Sequence, residues 1–210
     1  MRFGQGSTGG QAGALQVSAP GGFDFTCHMR SLCADLVRCL PDLQHIDLAR
    51  VAISFARARK RGPCGMQASL TPLRFDGGSL VGVRQGRRVT LQRIFAPGGA
   101  EMLYVLTFYL PRYLDLALRE KLETVLHELW HIGPRCDGDL RRYGGRCYAH
   151  SRSRAEYDAH IASLADRFLA MRSPAESCEL LQFGFAELCR RHGRIRGAVI
   201  RRPKLIPLDA

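Results

Sequence analysis

The chain has 210 residues, 46% of them hydrophobic, and carries 31 Lys and Arg against 19 Asp and Glu for a net charge of +12. No run approaches 18 apolar residues, which excludes a transmembrane helix, and the apolar share is too high for a disordered polyelectrolyte. The charge favours acidic partners, nucleic acid first, although 28 Arg against 3 Lys is also what a GC-rich coding bias produces.

The length fits one domain with tails. Residues 1–22 are rich in Gly, Ser, Gln and Ala and contain no apolar stretch of signal-peptide length; they read as a flexible tail of a cytoplasmic protein. Asp24 to Leu40 places Met29, Leu32, Cys33, Leu36, Val37 and Leu40 at helical spacing, and Pro41 stops the run. Val51, Ile53 and Phe55 alternate as in a strand. A basic turn follows from Arg57 to Pro63, then a second alternation at Met66, Ala68 and Leu70, a turn at Asp76-Gly77-Gly78, and a strand over Val89 to Phe95. Met102 to Leu110 is a nearly continuous apolar strand ended by Pro111. Leu114 to Ile132 predicts a long helix terminated by Gly133-Pro134.

Residues Arg135 to Ser151 form a polar loop. Ser153-Arg154-Ala155-Glu156 is a capping box for a helix to about Arg172, with Tyr157, Ile161, Leu164, Ala165 and Phe168 inward. Ser173-Pro174-Ala175-Glu176 opens another, running to His192 and ended by Gly193. From Arg190 to Lys204 there are seven basic residues and no acid. The organisation expected is a tail (1–22), one domain (23–192) and a basic C-terminal arm (193–210). None of the 8 Cys forms a Cys-x-x-Cys pair, so they read as reduced thiols rather than a zinc ribbon.

The long helix carries His127-Glu128-Leu129-Trp130-His131. Residues four apart share a helix face, so both imidazoles can meet one metal ion. Glu128 lies about 100° further round and can reach a water on that metal without ligating it. Two neutral imidazoles and a carboxylate base are the parts of a zinc hydrolase. The apolar residues between them suit a helix buried behind a cleft.

A hydrolytic zinc site needs a third protein ligand. Asp137, Asp139, His150, Glu156, Asp158 and His160 are within reach in sequence. Asp137 and Asp139 flank Gly138 as turn formers, Glu156 serves its own capping box, and His160 sits beside an apolar helix face. His150, on a loop 19 residues past His131, is preferred. Tyr148, Tyr157, Arg146 and His160 are the candidate oxyanion donors or supporting residues.

The segments His127 to Pro134, Asp137 to Arg142 and Gly145 to Ser151 together resemble the zincin-like metallopeptidases of bacteria and phages, related in layout to SprT-like proteases. The resemblance covers Tyr104 to Arg172. It implies an α+β fold in which a small mixed or antiparallel sheet packs on a long active-site helix, with further helices C-terminal. It also implies a three-His Zn2+ site that maps its last ligand onto His150. The trailing zinc module of some SprT-like proteins is missing. The expected activity is zinc-dependent peptide-bond hydrolysis, with Glu128 as general base and a protein or peptide substrate. DNA-associated proteins are one substrate class, reached through the Arg-rich segments. The rival expectation is a non-catalytic nucleic-acid-binding protein with a structural or degenerate zinc site. No membrane partner is expected.

Overall fold

The computed structural model describes residues 21–58, 65–142, 154–171 and 179–208. Arg146, Tyr148, His150, Lys60, Arg61, Ser153 and the Ser173-to-Glu176 capping box lie outside them.

The fold is α+β. β1 (Phe23–Asp24) leads into α1 (Phe25–Cys39), whose N-terminus is capped by the Asp24 carboxylate accepting from Cys27 N–H at 2.9 Å. β2 (Val51–Arg57), β3 (Ala68–Pro72), β4 (Val81–Arg84), β5 (Arg87–Leu91), β6 (Ile94–Phe95), β7 (Glu101–Met102) and β8 (Tyr104–Leu110) follow. Then come α2 (Leu118–Trp130), α3 (Arg154–Met171), α4 (Phe185–His192), β9 (Ile195–Arg196) and β10 (Leu205–Pro207).

The central sheet has the order β2-β8-β3, with β2 parallel and β3 antiparallel to β8. β8 is its middle strand, and Tyr104, Leu106 and Phe108 are fully buried. This explains the continuous apolar reading of that segment, since both faces are covered. α1, α2 and α3 supply the rest of the core through Met29, Leu32, Leu36, Leu122, Val125, Leu126, Leu129, Leu164 and Phe168. Each such side chain stabilises the fold by roughly 1.5–3 kcal/mol on burial.

Three expected elements differ. The strand Val89 to Phe95 is two strands: β5 pairs with β4 and β10, whereas β6 pairs with β7. The helix expected from Leu114 starts only at Leu118, where the Glu120 carboxylate accepts from Ala117 N–H at 2.9 Å. Before it, Tyr113 and Leu114 are buried in a turn, and the Asp115 carboxylate accepts from Phe185 N–H at 2.9 Å at the start of α4. The helix expected up to His192 is interrupted. A 3-10 turn (Glu179–Gln182) precedes α4, because Lys121 Nζ donates to the carbonyls of Leu181 and Phe183 at 2.5 and 3.0 Å and so diverts them from a helical ladder.

Residues 193–208, separated in the sequence as a basic arm, carry strands of their own. β9 pairs in parallel with β1, Phe55 N–H donates to Ala198 O at 3.0 Å, and Ile200 N–H donates to the buried Ser54 Oγ at 2.9 Å. β10 then adds to β5. No helix among the described residues is long and apolar enough to cross a membrane.

Lys121 is 1% exposed, and burial lowers its pKa to about 8. Below that pH both folded and unfolded chains hold the proton. Between about 8 and 10.5 the unfolded chain binds more protons, so this group adds stability as pH rises. The stability difference between the wild type and Lys121→Met, followed by urea unfolding, is expected to grow in favour of the wild type by about 2 kcal/mol from pH 7 to pH 10.

Candidate active site

α2 is amphipathic: Leu122, Val125, Leu126 and Leu129 are fully buried, and this stripe sets the rotation of the helix. His127 and Glu128 consequently lie on the side toward β3, at a cavity of about 580 Å3 that Met66, Ala68, Thr124 and Ile161 also line. Glu120, Glu123 and Asp158 border it as well, so its wall is acidic in a chain of net charge +12.

His131 is the C-cap residue of α2 and keeps a helical backbone (φ −66°, ψ −19°). The four-residue spacing therefore survives to the helix end. The two imidazole rings stand 4.7 Å apart, centroid to centroid, at 81°. Tyr157 on α3 supports both: its hydroxyl donates to His127 O at 3.2 Å, and its ring lies 5.0 Å from that of His127 and 6.2 Å from that of His131.

Glu128 Oε2 accepts from Leu70 N–H at 2.7 Å. The β3–β8 register explains why that N–H is available. Tyr109 donates to Gln67 and Leu73 to Leu103, so the odd-numbered residues of β3 bond β8 and Ala68 and Leu70 turn their backbone groups outward. Burial raises the Glu128 pKa to about 7, against the lowering effect of the Leu70 bond. The chemistry available is a proton-exchanging carboxylate beside two imidazoles and an outward-facing strand edge.

The end of α2 is held by the loop that follows. Arg141 N–H donates to His131 O at 2.8 Å, Arg141 Nε donates to Trp130 O at 2.9 Å, and the guanidinium lies 4.0 Å from the Trp130 ring centroid. These contacts satisfy carbonyls that a helix C-terminus leaves open. Gly133 allows a close backbone approach: a Cβ there would come within 3.0 Å of Asp139 O. The Asp139 carboxylate accepts from Gly77 and Leu140 N–H at 2.8 Å each and from Arg142 Nε and an Arg142 terminal nitrogen at 2.9 Å each. Arg142 also pairs with Asp76.

Of the residues expected at the site, His127, Glu128, His131 and Tyr157 are brought together. His160 lies one turn along α3 from Tyr157 and sits on Trp130, with ring centroids 4.4 Å apart. Asp139 serves the loop. Among the described residues no three His, Cys, Asp or Glu form a group that could hold a metal ion. Asp137, Asp139, Glu156, Asp158 and His160 therefore do not complete the histidine pair. Leu70 and Arg141 were not anticipated. A backbone donor on a strand edge has no side-chain signature, and Arg141 looked like one arginine among many.

Comparison with protein-family models, with curated proteins and with solved structures finds no match to the chain. The zincin-like reading rests on its own residues.

Asp139 is 7% exposed and holds two backbone donors and an arginine. Asp139→Ala strands these donors, and thermal or urea unfolding is expected to show a loss of about 3 kcal/mol. Asp139→Asn, which keeps an acceptor, loses less.

Proposed function

We propose that the chain is a zinc-dependent peptidase. The observation that carries this reading is the His127–His131 ring pair on α2, with His127 and the half-buried Glu128 carboxylate lining the cavity. Two imidazoles four residues apart fit two ligands of such a metal, and a hydrolytic site takes three. His150 is the third ligand proposed, from the segment between α2 and α3 that lies outside the described residues. Zn2+ held by His127, His131 and His150 would supply a water acidified toward neutral pH and a Lewis-acid contact for the scissile carbonyl.

The chain's own residues do the rest. An extended peptide lies along the outward edge of β3, pairing with Ala68 and the Leu70 carbonyl while the Leu70 N–H stays with Glu128, as peptides add to exposed sheet edges elsewhere. Glu128 is the general base. With Oε2 bound by Leu70, Oε1 takes the proton of the attacking water and returns it to the leaving amine. Its neutral-range pKa suits a group that must gain and lose a proton near pH 7. Tyr157 positions the helix end through the His127 carbonyl, and His160 backs Trp130. That leaves Arg146 and Tyr148 as the oxyanion donors proposed.

Zinc content and hydrolysis of an unfolded protein substrate test the reading together. Glu128→Ala is expected to retain one zinc per chain and to lose activity by at least about 10²-fold, the lower end of a general base's contribution. His127→Ala and His150→Ala are expected to lose the metal itself. Full activity in Glu128→Ala, or full zinc in both histidine variants, overturns the proposal.

A further inference from the structure

The cavity beside His127 runs against the charge of the rest of the chain. Glu120, Glu123, Glu128 and Asp158 line it, and among the described residues no Lys or Arg does, although the chain holds 31 of them. Helical spacing explains this wall. Glu120, Glu123 and His127 recur at three and four residues, so they form one stripe along α2. Glu123 is about one turn, roughly 5.4 Å, from His127, and Glu120 about two turns. Asp158 lines the same cavity from α3. Arg119 pairs with Glu123 and is also held by Asp166, so the stripe keeps a surplus of negative charge. Arg112, which donates to Met66 O at 2.7 Å, is not a lining residue, so the negative side of the cavity is the α2–α3 side.

The rest of the lining is largely apolar. Leu116 and Ile161 are on the helical side, and Ala68 and Met66 are at the start of β3. An apolar wall edged with carboxylates suits a side chain that has an aliphatic stem and a cationic head. A metal ion is the lesser fit. Among the described residues no three carboxylates form a group that could hold one, so the charge is spread along the wall rather than focused at a point.

We propose that this cavity is a subsite for a Lys or Arg side chain of the peptide, within two residues of the scissile bond. The proposal names the substrate class of the peptidase reading and rests on that reading for the position of the bond. A peptide extended along β3 repeats side chains on one face about every 6.6 Å. That interval is close to the helical turn that separates His127 from Glu123. The side chain next on the same face as the one beside His127 therefore comes opposite Glu123, and one as long as Arg extends toward Glu120. The same carboxylates repel an acidic residue there, so the wall selects by exclusion as well as by attraction.

The test reads binding and cleavage separately. Binding is followed by fluorescence anisotropy of short labelled peptides that differ only in a central Arg, norleucine or Glu. The full-length Glu128→Gln chain, supplied with zinc, is the receptor; it keeps an acceptor for Leu70 N–H and leaves the peptide intact. Each partly exposed ion pair contributes a factor of about 1.5–5, so the Arg peptide is expected to bind about 10-fold tighter than the norleucine peptide, with the Glu peptide weakest. Adding Glu120→Gln or Glu123→Gln singly is expected to lower that ratio by about 1.5–5-fold, and Glu120→Gln/Glu123→Gln/Asp158→Asn to bring it within about 2-fold of unity. Asp35→Asn on α1 is a charge control expected to leave the ratio unchanged. Circular dichroism establishes that each variant is folded. In the cleavage arm, bonds cut by the wild type in an unfolded protein are mapped by mass spectrometry, and Lys or Arg is expected within two residues of them. The proposal is overturned if the Arg and norleucine peptides bind alike or not at all, if the triple variant keeps the ratio, or if Asp35→Asn lowers it as much. Hydrolysis without preference for basic residues overturns the subsite and leaves the peptidase reading standing. Selective binding of the Arg peptide without hydrolysis by the wild type does the reverse.

Discussion

The rotation of α2 about its own axis governs the arrangement of the site. Leu122, Val125, Leu126 and Leu129 must all be buried, and a turn of the helix by one residue would expose part of that stripe. With the stripe fixed, the direction of every other side chain on the helix follows. His127 and His131 emerge together toward Tyr157, and Glu128 emerges toward β3, where Leu70 N–H meets it. The polar site is a by-product of how the apolar residues pack, and its precision is that of the core.

That setting is reinforced at the helix end. His131 stands at the C-cap of the helix with helical geometry, where fraying would separate it from His127. Arg141 bonds the carbonyls of Trp130 and His131 and covers the indole ring, while the Asp139 loop approaches Gly133 at backbone distance. Tyr104, in the middle strand, donates its hydroxyl to Asp139 O at 2.9 Å and accepts from Gly138 N–H. The loop is thereby tied to the same sheet against which the helix packs, so both ends of the arrangement share one reference frame.

Much of this was legible in the sequence, for physical reasons that differ between elements. α1 announced itself because its apolar spacing and Pro41 agree; its Asp24 cap is seen only in the structure. β8 announced itself because a strand buried on both faces is apolar throughout. The pairing of His127 with His131 followed from spacing alone, since four residues on a helix fix a direction. What stayed hidden depends on distant partners. The late start of α2 and the break before α4 come from Glu120, Asp115 and Lys121 bonding backbone groups far from the local pattern. The split between β5 and β6 reflects a change of pairing partner, which alternation does not encode. The bond from Leu70 depends on which half of the β3 backbone faces β8, a matter of register.

The C-terminal residues have an effect beyond their charge. A three-stranded sheet has two borders at which a further strand could join. Along β2, the chain's own 195–200 stretch occupies that border, with Phe55 bonded to Ala198 and the hydroxyl of Ser54 engaged by Ile200. On the opposite border, β3 has only β8 as a strand neighbour among the described residues. The two flanks of this sheet are therefore unequal among the described residues: the β2 border is bridged by the chain's own C-terminal stretch, while the β3 border carries the Glu128 contact and no further strand.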